Sequence, residues 1–195
     1  MNHLAHFYLS HPHEELMVGG FLGDFVKGRL AGKHPDRIEL GIRLHRAIDA
    51  YTDRHPLVKQ SQHRMDPEFR RYSGIITDIV YDHFLAQNWQ IWSPVSLEEF
   101  SENACKLVIK AKPFLPQNAL DTILWMQSSA SLVRYKNEAF IDQALKNISR
   151  RLSRNNPLAN GFQQFEQNRS ALEDDFLNFL PELKSFAEQW IADSS

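Results

Sequence analysis

The chain has 195 residues, a formal net charge of −2 at pH 7 and a single cysteine, Cys105. This length suits one domain with a full hydrophobic core, and 43% hydrophobic and 24% charged residues are typical of soluble globular proteins. One cysteine excludes an intrachain disulfide and a thiolate metal cluster, and Cys105 itself is expected in the core. No apolar stretch reaches the length of a membrane span and no leader peptide is evident, so we expect a cytoplasmic protein.

Helical periodicity recurs along the chain, and no region has the pattern of a strand-rich fold. Gly74 is a possible break in one helix, and Pro181 marks a kink or a new start in the last. The sequence predicts a single all-α domain, residues 1–195, of about eight helices. The clearest helical stretches are 36–55, a short segment from residue 56, then 68–88, 97–111, 116–130, 140–152 and 162–190.

The first unusual segment is the glycine-punctuated run 19–28, where Asp24 is the one carboxylate among apolar residues. The next is the helix 36–55, where His45 and Asp49 are four residues apart on the face that should be buried. Burying unpaired ionisable groups is costly, so such a face must pair them or give them to a metal. Taken alone, the simpler interpretation is a hydrogen bond between His45 and Asp49.

A third segment, residues 74–85, repeats the pattern. His83 lies within its apolar stripe, Asp82 at the edge, and Asp78 one turn earlier toward the boundary. Three segments that each bring Asp or His to an apolar face favour one shared metal site. Nitrogen and oxygen ligands suit Mn, Mg or Fe better than a structural zinc. The predicted ligands are Asp24, His45, Asp49, Asp78 and Asp82.

Charge is distributed unevenly along the chain. Residues 27–71 hold 11 basic and 6 acidic residues, whereas the rest of the chain holds 11 basic and 18 acidic residues. A positive field beside the predicted metal suits an anionic substrate or an acidic partner protein, and we expect Arg43, Arg46 and Arg54 to contact such a partner. The alternative is an ordinary solvated surface whose sign is chance.

Five segments resemble the bacterial acyl carrier protein phosphodiesterases, which remove the 4′-phosphopantetheine arm from holo-acyl carrier protein. The likeness covers nearly the whole chain in the family's motif order, and the block from His45 to Pro56 is its most specific part. The segments are Met1-Asn2-His3-Leu4-Ala5-His6, then 23–28, 45–56, 81–85 and 132–135.

The resemblance implies an all-α fold related to the HD phosphohydrolases, use of Mn or Mg, and holo-acyl carrier protein, an acidic protein, as substrate. Nucleic acid is not an implied partner. His6 or His83 would protonate the leaving alkoxide. This chain has Asp82-His83 in place of a His-Asp dipeptide, so ligands are not transferred one by one from ordinary HD enzymes. His3 stands where a hydrophobic residue is expected and is assigned no role.

Two other functions are compatible with the residues. One is a phosphohydrolase of the same chemistry that acts on a small phosphoester or nucleotide, which would need a few inward cations rather than a broad basic patch. The other is a non-enzymatic helical binding protein whose His and Asp side chains satisfy each other. The sequence leaves the native metal and the oligomeric state open.

Overall fold

A computed structural model describes residues 1–194. Within that range the chain forms eleven α-helices, three short 3-10 segments and no strand, which confirms the all-α prediction. The helices are α1 (His3–Ser10), α2 (Glu14–Leu22), α3 (Asp36–Thr52), α4 (Pro56–His63), α5 (Ser73–Gln87), α6 (Trp89–Trp92), α7 (Leu97–Lys110), α8 (Gln117–Ser128), α9 (Ser131–Arg134), α10 (Glu138–Arg151) and α11 (Gly161–Ser194).

The number of helices exceeds the expected eight for a physical reason. The helices α1 and α2 are buried on nearly every side, so their sequences carry no polar stripe and no amphipathic periodicity to detect. The other additions, α6 and α9, are four residues long. Burial of Cys105 is confirmed, because this side chain is 3% exposed and burial raises the pKa of its thiol to about 11.

Helices α2 and α3 lie backbone against backbone. A Cβ on Gly19 would come within 2.6 Å of the Gly41 Cα, and a Cβ on Gly41 within 2.8 Å of the Gly19 Cα. Only glycine permits this approach at both positions. The contact brings the C-terminal end of α2, and Asp24 just beyond it, next to the middle of α3.

Helix α11 runs for 34 residues along the bundle and contacts α3, α4 and α5. It continues through Pro181, so the alternative of a new helix start at this proline is wrong. The break expected near Gly74 comes slightly earlier, where a 3-10 segment (Pro67–Tyr72) gives way to α5. No described helix combines the length and hydrophobicity needed to cross a membrane. The relation to the HD fold stays a prediction.

Candidate metal centre

His45 is held in one orientation by the end of α2. Its Nδ1 lies 2.8 Å from the carbonyl oxygen of Gly20, and because a carbonyl only accepts, Nδ1 carries the proton and donates. A Cβ at Gly23 would overlap the imidazole ring, so glycine is required there. In the neutral ring, Nε2 then has a free electron pair. A metal-binding histidine typically has this arrangement, with the other nitrogen tied to a carbonyl.

Two carboxylates and a second imidazole face the Nε2 atom of His45. Oδ2 of Asp49 lies 3.1 Å from it and Oδ1 of Asp24 3.8 Å. From α1, His6 stacks on His45 with ring centroids 3.9 Å apart, and its Nε2 lies 3.2 Å from Oδ1 of Asp49. Four side chains from three parts of the chain therefore converge, including Asp24, His45 and Asp49 of the predicted ligand set.

The charges in this cluster are those that a cation requires. Burial and the neighbouring His45 lower the pKa of His6 to about 4, so His6 is neutral at pH 7. Burial acts to raise the pKa of Asp49, but its contacts with His45 and His6 outweigh burial and hold that pKa below its ordinary value. Asp49 is therefore ionised while the ring beside it is uncharged.

The donor atoms of the cluster fit a divalent cation. In the described part of the chain, His6, His45 and Asp49 form the one group of three such residues with ligand atoms within 4.8 Å of one another. Neither ring nitrogen of His6 makes a hydrogen bond, although both are buried. Nε2 of His6 and Nε2 of His45 both face the carboxylate of Asp49, so these three groups could bind one ion between them.

The cluster is open on one side only. The His6 and His45 side chains are 2% and 4% exposed, whereas those of Asp49 and Asp24 are 44% and 46% exposed. The expectation that Asp49 is buried is therefore wrong, because Asp49 lies at the edge of the buried stripe of α3, beside Ile48 and Thr52, which are covered. This arrangement places the imidazole nitrogens inside the protein and the two carboxylates at its surface.

His3 also belongs to this region, although the sequence analysis assigned it no role. Its Nδ1 lies 3.3 Å from Oδ2 of Asp24, and burial lowers its pKa. The ring contacts Phe21 at a centroid distance of 5.4 Å. The spacing of His3 and His6, three residues apart on α1, brings both to one face of the helix. That spacing would have identified His3, had α1 been recognised as a helix.

Asp82 and Asp78 contact the start of the chain rather than His6 or His45. Asp82 is fully buried and accepts hydrogen bonds from the backbone amides of Asn2 (3.3 Å) and Leu4 (2.9 Å), so it holds the N-terminus of α1. Burial raises its pKa to about 7. The sequence predicted Asp82 at the edge of the apolar stripe of α5, but α1 packs over that edge and buries it. Asp78 accepts from the Met1 amine at 2.8 Å. A ligand role for either carboxylate stays a prediction.

His83 faces a different part of the bundle. Its Nδ1 lies 2.7 Å from the carbonyl oxygen of Tyr135, its ring packs edge-on against Phe165, and it is fully buried. These neighbours come from α11 and the residue after α9, whereas the cluster is built from α1, α3 and the end of α2. The structure does not bring His83 to His6 and His45, and a catalytic role for it stays a prediction.

Comparison with known proteins identifies the family. The model of a family described as "Acyl carrier protein phosphodiesterase" matches residues 1–183. The chain belongs to the acyl carrier protein phosphodiesterase family. Curated proteins named acyl carrier protein phosphodiesterase are 36% identical over 191 residues in Photorhabdus laumondii, covering 96% of each chain, and 35% identical over 191 residues in Yersinia pestis, covering 96% of this chain and 98% of the relative. No solved structure matches the chain.

In this member of the acyl carrier protein phosphodiesterase family, the three arginines of the predicted partner surface differ in their contacts. Arg43 is 59% exposed and has Glu39 at 3.7 Å. Arg46 donates to the carbonyl of Val26 at 2.9 Å, which fixes the segment that follows Asp24. Arg54 donates to the carbonyl of Ala50 at 2.8 Å within its own helix turn. Arg43 and Arg54 are both exposed, and of the three only Arg43 has a carboxylate within 4 Å.

Proposed function

We propose that this protein is a metal-dependent hydrolase that cleaves the phosphodiester between 4′-phosphopantetheine and the serine of holo-acyl carrier protein. The products are apo-acyl carrier protein and 4′-phosphopantetheine. The observation that carries the proposal is the half-open cluster of His6, His45 and Asp49, in a chain that belongs to the acyl carrier protein phosphodiesterase family over residues 1–183. The curated relatives bear the same name.

We assign the cation to Nε2 of His6, Nε2 of His45 and the carboxylate of Asp49, with Asp24 as a fourth ligand or a partner of bound water. When bound, a divalent cation neutralises phosphoryl charge and lowers the pKa of water toward neutrality. Two imidazoles favour Mn or Fe over Mg, because Mg prefers oxygen ligands.

The protein's own groups have definite tasks in this proposal. His45 is oriented by its Nδ1 proton on the Gly20 carbonyl, which turns its Nε2 atom toward Asp49. His6 is neutral and faces Asp49, so it is better placed to hold the ion than to protonate a leaving group through the same nitrogen. His3 contacts Asp24 at 3.3 Å and positions that carboxylate at the rim of the cluster.

The basic stretch 27–71 supports a protein substrate. Acyl carrier proteins are strongly acidic, and the exposed guanidinium of Arg43 lies on the same helix as His45 and Asp49. Charges at the rim of an interface act mainly on the rate of association. We propose that this surface steers the carrier protein so that its phosphodiester arrives at the half-open side of the cluster.

The decisive experiment is mass spectrometry of holo-acyl carrier protein after incubation with the purified protein and Mn. We expect conversion of holo-acyl carrier protein to the apo form and release of 4′-phosphopantetheine. Adding a metal chelator should abolish both. A small phosphodiester and a nucleotide are tested in parallel. Failure to produce the apo form with Mn, Mg or Fe would refute the proposed function, and turnover of the nucleotide alone would favour the small-phosphoester alternative.

Metal binding is measured independently of turnover. A ligand that binds only the folded state stabilises it by about 2.7 kcal/mol at 100 times its dissociation constant. We therefore expect Mn to raise the melting temperature of the metal-free protein. Absence of any shift, together with activity that survives the chelator, would show that the cluster does not act through a metal.

A further inference from the structure

A cleft of about 470 Å³ lies directly beside the cluster. Its walls come from the start of α1 and from α8, α9 and α10, and Asn2 and His3 are among the residues that line it. His3 also contacts Asp24 at 3.3 Å, so the cleft and the metal centre share a wall. A larger cavity of about 690 Å³ lies at the other end of α1, around Tyr8, and His3 is not part of its lining.

The lining of the smaller cleft combines apolar and amide side chains with three charged ones, Asp121, Arg134 and Arg151. Trp125 and Ile148 provide apolar surface, whereas Gln143 and Asn147 provide amides that hydrogen-bond to each other at 2.8 Å. The Trp125 residue is 54% exposed, although an aromatic ring of that size is usually covered. A volume in the range of about 300–1,000 Å³ with such mixed lining is typical of small-molecule sites.

We propose that this cleft binds the pantetheine arm of the substrate. The phosphate end of the arm would lie at the cluster, and the chain of two amides and short methylene segments would pass His3 toward Trp125. The amides of the arm can hydrogen-bond to Gln143 and Asn147, and its methylene segments can pack on Trp125 and Ile148. This inference rests on the proposed function, because it assigns the remainder of the same substrate to a neighbouring site.

Two neighbouring side chains on α8 provide a matched test. Trp125 lines the cleft, whereas Leu124, 45% exposed, does not. Both are large and exposed, so truncating either one should leave the fold intact, which melting of each variant checks. We expect Trp125→Ala to raise the inhibition constant of free 4′-phosphopantetheine and the KM for holo-acyl carrier protein about tenfold, which corresponds to ~1.4 kcal/mol. Leu124→Ala should change neither.

A second variant tests the space itself. Gln143 is exposed at the cleft wall. Gln143→Trp should fill part of the cleft and raise the inhibition constant of 4′-phosphopantetheine, as Trp125→Ala should. Inhibition by inorganic phosphate, which needs only the cluster, should stay at the parental value in all three variants.

The outcomes are distinct. An unchanged inhibition constant for 4′-phosphopantetheine in both Trp125→Ala and Gln143→Trp would overturn the proposal. A higher KM for the carrier protein with that constant unchanged would also overturn it, because the cleft would then contact the carrier rather than the arm. Calorimetry of 4′-phosphopantetheine with the Mn-loaded protein tests the cleft even if holo-acyl carrier protein is not turned over, in which case the proposed function fails separately.

Discussion

The cluster around Asp49 and the network around Asp175 use the same kind of residue in opposite ways. Asp175 on α11 is 4% exposed, and its two oxygens accept hydrogen bonds from Gln60 (2.8 Å), Ser61 (2.8 Å) and both Nε and Nη2 of Arg64 (2.9 and 3.3 Å). Asp49 is instead flanked by the ring nitrogens of His45 and His6. One carboxylate is surrounded by groups that donate hydrogen bonds to it, and the other by imidazoles, which can donate a proton or, once deprotonated, bind a metal.

The difference teaches how a structural carboxylate is distinguished from a ligand. A buried acid that supports the fold is matched by donors, because an unpaired charge is costly. Imidazoles beside a half-exposed carboxylate can instead exchange their protons for a metal, which is the role proposed for His45 and His6. Burial alone does not separate the two, since Asp175 is the more buried carboxylate and has the more ordinary role.

The largest expected effect comes from Asp49→Asn. The amide removes the negative charge that anchors the cation, so we expect release of 4′-phosphopantetheine at saturating Mn to fall by about 100-fold or more, ~2.7 kcal/mol of transition-state stabilisation. The side chain is 44% exposed, so the metal-free variant should melt close to the parent. Thermal melting and turnover are measured on the same preparation. A variant that keeps most of its activity would place Asp49 in the same structural class as Asp175.

Asp175→Asn should behave in the opposite manner. It leaves Arg64 without its carboxylate and disturbs the hydrogen bonds from Gln60 and Ser61, so we expect a loss of about 2 kcal/mol in the free energy of unfolding. The partial exposure of Arg64, 31%, limits this loss. Urea denaturation measures it, and turnover per folded molecule should be unchanged.

The exposed pair of Glu102 and Lys106 on α7 is the control for Asp175→Asn. Glu102→Gln should cost less than about 0.5 kcal/mol, because exposed ion pairs contribute little. Equal losses for Glu102→Gln and Asp175→Asn would contradict the distinction between a donor-rich buried network and a surface pair.

A smaller effect is expected at Gly23, which affects the cluster through packing. Gly23→Ala places a methyl group against the ring of His45, so we expect about a tenfold loss of activity, ~1.4 kcal/mol, and a weaker stabilisation by Mn. The control is Gly74→Ala, where a Cβ would meet only Nε2 of Gln62 at 3.8 Å and helix propensity should increase stability slightly. Normal Mn binding and turnover in Gly23→Ala would show that the position of His45 is not critical.

The smallest effect concerns charge near each region. The charge of Arg64 is used inside the protein by Asp175, whereas Arg43 is 59% exposed and has only Glu39 at 3.7 Å among its ion-pair partners. We expect Arg43→Glu to lower kcat/KM for holo-acyl carrier protein about threefold and to reduce its salt dependence. Lys106→Glu, a 60% exposed position outside the basic stretch, is the control. Identical salt dependence in the two variants would refute a docking role for Arg43.

The sequence alone predicted much of the chemistry. Helical periodicity established the all-α class, and the i, i+4 spacing of His45 and Asp49 guaranteed their contact once a helix formed, because that contact is local. The segments shared with the acyl carrier protein phosphodiesterases predicted the family, which the matches over the chain confirm. These features depend on neighbours in sequence or on motifs that can be recognised directly.

Only the tertiary structure decided which side chains that are distant in sequence come together in the cluster. The Gly19–Gly41 contact brings Asp24 to His45, and α1, whose burial hides its periodicity, brings His6 and His3. Asp82 and His83 are adjacent in sequence but face different helices, because successive residues of a helix point about 100° apart. Which of them lies near the N-terminus of α1 depends on where α1 packs, and no local pattern in the sequence contains that information.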